Sequence, residues 1–203
     1  LESGEVYLDM TDDVREAIKG ADRVVIVACG TSWHAGLVGK FYIEKIARVP
    51  VEVDIASEYR YRDLVINDKT LFIAITQSGE TADTLTALRI AKSKGAKVLS
   101  ICNVVGSSIS RESDSVIYTH AGPEIGVAST KAFTTQLASL FMFALYLGQT
   151  NGNLSAEKAK EYISELIQIP EKLETVLKED DHIEELAKQF KDASDFLYLG
   201  RNV

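Results

Sequence analysis

Cysteine and proline are scarce, with two cysteines and three prolines among 203 residues. Two isolated cysteines, each inside a strand-like apolar run, cannot build a disulfide framework or a CxxC metal site. A content of 46% hydrophobic and 26% charged residues excludes disorder and collagen-like repeats. The longest apolar stretch, residues 137–147, is shorter than the roughly 20 residues of a membrane helix and lacks signal-peptide flanks. We therefore expect a cytoplasmic protein with no membrane partner.

Positive charge is also in short supply, since 22 basic against 30 acidic residues give a formal net charge of −8. The acidic excess is concentrated in residues 155–195, which hold twelve acids and six bases. A nucleic-acid partner is therefore not expected. The remaining chain is close to neutral, so a small anionic substrate would not be repelled by it.

Apolar runs of strand length alternate with helical patterns, which is typical of βαβ units around a parallel sheet buried on both faces. The predicted fold class is α/β, a three-layer doubly wound domain with a five-stranded parallel sheet in the flavodoxin-like order, followed by a C-terminal helical extension. The predicted strands are Arg23–Cys29, Val51–Ile55, Thr70–Thr76, Lys97–Cys102 and Ser115–Thr119, with helices near 9–20, 33–48, 57–62, 81–95 and 129–148.

The end of the chain has a different pattern. Residues 154–195 predict an amphipathic helical linker with a break at Pro170. Asp195–Leu199 has strand character, and the turn that follows resembles the one after the first strand. We expect a first domain over 1–153, the linker over 154–195, and the truncated start of a second, similar unit over 196–203.

Two strand-to-helix turns carry the candidate chemistry. Cys29–Ser32 follows the first strand and Thr76–Thr81 follows the third, and both are rich in hydroxyls and contain a glycine. In an open parallel sheet, ligands bind at the carboxyl ends of the strands, where helix N-termini favour anions. Helix capping alone is the competing interpretation. Because neither turn is a nucleotide-binding loop, the pattern favours a phosphorylated small molecule over a dinucleotide or a triphosphate.

Four segments carry a resemblance to a known family: Ala28–Ser32, Ser57–Arg62, Gln77–Thr84 and Glu124–Thr134. Together they resemble the sugar isomerase (SIS) domain of the glutamine:fructose-6-phosphate aminotransferase family, from about residue 20 to the end of the chain. The Ser-Gly-Glu-Thr turn is common to SIS domains that bind sugar phosphates. The run from Glu124 to Gln136 is much more specific to the aminotransferases.

The resemblance implies a site for fructose 6-phosphate or glucosamine 6-phosphate in a homodimer. No cofactor is expected, and no metal site either, because His120 and His182 have no partner at ligand spacing. Thr76 departs from the serine common in the family but keeps the hydroxyl, so binding is expected to survive. The family's phosphate and sugar contacts fall on Thr31, Ser32, Thr76, Gln77, Ser78, Thr81, Val127 and Ser129.

Whole members of the family pair a glutaminase domain with two SIS halves. The resemblance places the Schiff-base lysine, the enolising glutamate and the ring-opening histidine beyond Val203. We therefore expect this chain to contain no catalytic residue and to be inactive alone. Two alternatives stay open: a regulatory SIS module that senses a sugar phosphate, and another SIS enzyme such as a ketose-phosphate isomerase or a deglycase.

Four residues near the turns invite other interpretations. Cys29 is expected to be a buried small hydrophobe rather than a nucleophile. His34 and Lys131 each begin a helix and could approach a phosphate, although a surface role is at least as plausible for both. Glu80 has an acid–base interpretation, but a carboxylate in the first turn of a helix is stabilised there without any catalytic role.

Overall fold

The strand order of the sheet is the predicted one. The computed structural model describes residues 3–63, 65–126 and 129–200, and its five parallel strands lie in the order β2-β1-β3-β4-β5. The α/β doubly wound prediction is therefore confirmed. The elements are α1 Asp12–Gly20, β1 Arg23–Ala28, α2 Gly30–Ile46, β2 Val51–Ile55, α3 Ala56–Tyr59, β3 Thr70–Thr76, α4 Ala82–Ser93, β4 Lys97–Cys102, α5 Ser108–Glu112, β5 Ser115–Tyr118, α6 Lys131–Thr150, α7 Ala156–Leu177 and α8 Asp180–Phe190.

The centre of the sheet is buried on both faces. Every residue of β3 is buried, as are five of the six residues of β1, which explains why both strands read as continuous apolar runs. In the register, Ile26 lies between Val53 of β2 and Ile73 of β3. The two central strands therefore end side by side, and the turns that follow them emerge next to each other at one edge.

Two local features differ from the sequence-based expectation. Helix α5 was not predicted, because five residues are too few for a helical period to be recognised. Its start carries a capping signal, since the Ser107 hydroxyl accepts a hydrogen bond from the amide of Ser110. The expected break at Pro170 is wrong, because α7 continues through it. A proline inside a helix removes one backbone donor and costs about 3 kcal/mol or more, which is why a break is expected, yet Pro170 lies within the 22 residues of α7.

The chain divides into two compact units. One contains the N-terminal residues up to Gly4 together with the chain from Ala156 onward, and the other is Glu5–Ser155. Residues 195–200 contain no strand, so the strand predicted at 195–199 is not formed in this structure. A strand requires hydrogen bonds to a neighbouring strand. Among the described residues, no helix combines the length and apolarity needed to cross a bilayer.

Candidate functional site

A cleft of about 450 Å³ opens where β1 and β3 end. Seven of the eight residues predicted to contact the ligand line it, and the eighth, Val127, lies outside the described residues. The topology produces this convergence, because β1 and β3 are hydrogen-bonded neighbours and the turn after each of them leads into a helix. The predicted residues in the wall are Thr31, Ser32, Thr76, Gln77, Ser78, Thr81 and Ser129.

The turn between β3 and α4 is held by its own hydroxyls. Thr76 Oγ1 accepts a hydrogen bond from the amide of Gly79 at 3.1 Å, and Ser78 Oγ accepts one from the amide of Glu80 at 3.2 Å. A hydroxyl that accepts can still donate its own hydrogen. Both side chains therefore keep a donor for a ligand while they shape the loop.

Glu80 anchors this turn to α5. Its carboxylate accepts hydrogen bonds from the hydroxyl of Ser108 at 2.6 Å and from the amide of Ser108 at 2.7 Å, which lowers the pKa of Glu80 below its usual value. The amide of Ile109 also donates to the carbonyl of Gly79 at 2.9 Å. Glu80 is absent from the cleft wall, so its contacts are those of a structural residue.

The turn between β1 and α2 places Ser32 in the first turn of the helix. Ser32 is 8% exposed, and its hydroxyl accepts a hydrogen bond from Nε2 of Gln136 on α6 at 3.0 Å. Sequence inspection missed this role of Gln136. The residue closes the motif that begins at Glu124, but only the structure reveals that α6 packs beside α2.

The cleft offers an anion neutral donors rather than fixed cations. Among its described lining residues there is no lysine or arginine, and the ionisable members are Cys29 and Glu124. The oxygen Oε2 of Glu124 accepts a hydrogen bond from the amide of Ala132 at 2.8 Å, at the start of α6. Attraction for an anion must therefore come from hydroxyls and from the N-terminal ends of α2 and α4.

Capping does not account for the hydroxyls in these turns. The residue that precedes α2 is Cys29, and the one that precedes α4 is Thr81. Neither side chain makes a capping hydrogen bond to its helix. The N-terminal amides of α2 and α4 therefore receive no capping oxygen from these two side chains, and the cleft wall includes first-turn residues of both helices, Ser32 and Thr84 among them.

Of the other candidates, Cys29 lines the cleft and is only half-buried rather than buried as expected, whereas Glu80, His34 and Lys131 lie outside the wall. The ring nitrogen Nδ1 of His34 is 3.1 Å from the carbonyl oxygen of Gly30, and Lys131 is exposed at the start of α6. Among the described residues, no group of His, Cys, Asp and Glu could hold a metal ion. Beyond the predicted residues and the two ionisable ones, the wall contains Gly30, Ile75, Thr84 and Gly126.

Comparison with known proteins agrees with this geometry. The family model for the SIS domain matches residues 17–146, which include every strand and both hydroxyl-rich turns. The chain belongs to the SIS-domain family. The SIS fold accounts for the five-stranded parallel sheet and for a cleft at the carboxyl ends of its strands.

Individual relatives match 99–100% of the chain. The chain is 52% identical over 203 residues to the glutamine–fructose-6-phosphate aminotransferase (isomerizing) of Clostridium perfringens, and 53% identical over 201 residues to that of Chlorobaculum tepidum. It covers 33% of the length of each of these relatives. A solved C-terminal domain of the glucosamine-fructose-6-phosphate aminotransferase from Francisella tularensis superposes with a TM-score of 0.89 at 46% identity, covering 95% of this chain and 54% of that one.

Proposed function

We propose that this SIS domain binds the phosphate of fructose 6-phosphate or glucosamine 6-phosphate in the cleft at the ends of β1 and β3. The observation that carries the proposal is the convergence of hydroxyl groups from two turns at two helix N-termini. The contacting residues in the proposal are Thr31, Ser32, Thr76, Gln77, Ser78 and Thr81 for the phosphate, with Ser129 and Val127 nearer the sugar.

The chemistry of the wall supports a phosphorylated ligand. Ser32, Thr76 and Ser78 each accept a hydrogen bond from the protein, so their hydrogens are available to an oxygen that only accepts. A phosphate dianion has three such oxygens and no donor at neutral pH. Two helix N-termini add partial positive charge without a lysine or an arginine. The volume of about 450 Å³ lies in the range of small-ligand sites.

The relatives suggest the reaction to which this binding contributes. We propose that the domain belongs to a cytoplasmic, homodimeric enzyme that uses glutamine to aminate fructose 6-phosphate and isomerises the product to glucosamine 6-phosphate. The chain spans about a third of the length of the curated relatives. Alone, it is proposed to hold the phosphosugar without turning it over, since the resemblance places the reacting groups in the glutaminase domain and in the second SIS half.

The two alternative functions would use the same cleft. A regulatory SIS module or another SIS enzyme would also bind a sugar phosphate, so binding alone does not separate them from the proposal. The aminotransferase relatives at 52% and 53% identity favour the proposal. Glucosamine 6-phosphate formation from fructose 6-phosphate and ammonia by the 203-residue chain would contradict the expected inactivity.

The test is calorimetric and thermal-shift titration with glucosamine 6-phosphate, beside glucosamine and inorganic phosphate. A ligand that binds only the folded state must raise its stability, so the phosphosugar is expected to raise the Tm and unphosphorylated glucosamine is not. Ser78→Ala removes one hydrogen bond to a charged group, which corresponds to about 1.5–3 kcal/mol or a tenfold to hundredfold loss of affinity.

A matched control is available on α4. Ser93 donates its hydroxyl to the carbonyl of Ile90 at 2.8 Å and is absent from the cleft wall. Ser93→Ala is expected to bind with unchanged affinity. An equal loss of affinity in Ser78→Ala and Ser93→Ala, or no response of the unaltered chain at millimolar ligand, would refute binding in this cleft.

A further inference from the structure

We propose that Gln136 is a positioning residue that orients the Ser32 hydroxyl so that its hydrogen points toward the bound phosphate. The inference rests on the proposed function, because it concerns the same cleft. Ser32 lines the cleft, whereas Gln136 lies behind it on α6 and is absent from the wall. Gln136 therefore acts on the ligand through Ser32.

The hydrogen bond between the two side chains determines what Ser32 can do. Nε2 of Gln136 donates to Oγ of Ser32 at 3.0 Å, and the pair is buried. An amide nitrogen has hydrogens and no free lone pair, so the serine oxygen must be the acceptor. The hydroxyl hydrogen then stays available for another acceptor. An anion in the cleft is such an acceptor, and a hydroxyl that already accepts is polarised toward donation.

The other end of the amide indicates that this side chain is not optimised for stability. Within the described part of the chain, Oε1 of Gln136 is buried and has no hydrogen-bond partner. An unpaired buried carbonyl destabilises a fold, and an apolar side chain of similar volume would remove that cost. The presence of glutamine at this position despite its cost in stability is explained if its amide orients the Ser32 hydroxyl.

Gln149, on the same helix, differs from Gln136 because its carbonyl oxygen has a hydrogen-bond partner. Its Oε1 accepts a hydrogen bond from the backbone amide of Val6 at 2.9 Å, which ties a distant segment to α6. Gln149 is also absent from the cleft wall. One helix thus contains one glutamine that holds a backbone amide outside the cleft wall and one that holds the hydroxyl of a residue in the wall.

Close packing of α2 against α6 keeps the Ser32–Gln136 pair in register. A side-chain carbon added at Gly39 would lie 2.8 Å from Cδ2 of Leu140. Leu140 is one turn after Gln136, and Gly39 is two turns after Ser32, so both pairs lie on the facing sides of the helices. The contact fixes the distance between the helices and therefore the geometry of the hydrogen bond.

The experiment compares three variants of the 203-residue chain by calorimetry with glucosamine 6-phosphate and by thermal unfolding without ligand. Gln136→Met keeps the volume and removes the donor, so we expect a three- to tenfold loss of affinity with no fall in Tm. Gln136→Glu supplies an oxygen that accepts the Ser32 hydrogen and adds negative charge, so we expect a loss of more than tenfold. Gln149→Met should lower the Tm and leave the affinity unchanged.

A double-mutant cycle with Ser32→Ala tests the route through Ser32. In the Ser32→Ala background, Gln136→Met is expected to cause no further loss of affinity, because the hydroxyl that it orients is gone. Unchanged binding by Gln136→Met, a fall in Tm that accounts for its weaker binding, or additive losses in the double variant would each refute the positioning role alone. Absence of binding by the unaltered chain would refute the proposed function and the positioning role together.

Discussion

Gly79 sits at the centre of the turn between β3 and α4, and its replacement by alanine should disrupt that turn. Its φ is +69°, a conformation that costs an L-residue roughly 1–2 kcal/mol. The added carbon would also lie 1.9 Å from Oγ and 2.4 Å from Cβ of Ser107. Ser107 is 4% exposed and caps α5, so its side chain cannot move aside without the loss of that cap.

The expected loss of stability is the sum of the backbone cost of the positive φ and the cost of the close contact with Ser107. Overpacking in a close-packed interior costs about 1–3 kcal/mol, so Gly79→Ala is expected to destabilise the domain by about 2–5 kcal/mol in all. Gly30 provides the matched control, because its φ is +58° but an added carbon there meets nothing within 4 Å. Gly30→Ala should therefore incur only the backbone cost, about 1–2 kcal/mol.

The free energy of unfolding of both variants and of the parent chain is measured by urea unfolding followed by circular dichroism, and their Tm by thermal unfolding. At about 2–4 °C per kcal/mol for a protein of this size, the corresponding fall in Tm is about 4–20 °C for Gly79→Ala and about 2–8 °C for Gly30→Ala. Equal destabilisation by the two variants, or a larger effect of Gly30→Ala, would show that the close contact with Ser107 is not the cause.

Two further predictions concern charge and thiol chemistry. Asp13 is paired with Lys97 at 2.7 Å, and this hydrogen bond lowers the pKa of Asp13 to about 2. The contribution of this pair to stability should be present above pH 4 and be lost as the pH falls toward 2. The free energy of unfolding of Asp13→Asn should therefore depend less steeply on pH in that range than that of the parent chain. An unchanged slope would contradict the pairing. Cys29 lines the cleft and Cys102 is buried; one thiol should therefore react with a thiol reagent in the folded chain, and glucosamine 6-phosphate should slow that reaction, whereas equal rates with and without ligand would contradict binding beside Cys29.

The centre of the sheet could be predicted from the sequence because β1, β3 and β4 are largely apolar, buried runs of strand length. β3 was predicted at its observed bounds, since all of its residues are buried and no polar position interrupts the run. Helix α5 could not be predicted, because its five residues are too few for a helical period and it docks on Glu80. Ser108 and Glu80 are 28 positions apart, and a contact between residues so distant in sequence leaves no periodic signal around either of them.

Part of the candidate cleft could likewise be predicted from the sequence, and part could not. The hydroxyl-rich turns could be predicted, because chain order alone puts them after strands that adjoin in a flavodoxin-like sheet. The partnership of Ser32 with Gln136 could not, since the two residues are 104 positions apart and become neighbours through the packing of α2 on α6. The motif that contains Gln136 marked it as part of a family pattern without indicating its contact.

The absence of a lysine or an arginine among the described lining residues is compatible with an anion site because three helices begin there. First-turn residues of α2 and α4 line the cleft, and α6 begins where the amide of Ala132 donates to Glu124. The third helix thus stabilises the carboxylate that would otherwise repel a phosphate. In the proposed site, neutral donors would select a phosphate by geometry and release it without breaking a buried ion pair. A site of this kind suits a chain with a net charge of −8, since local dipoles at contact distance outweigh distant surface charges that salt screens.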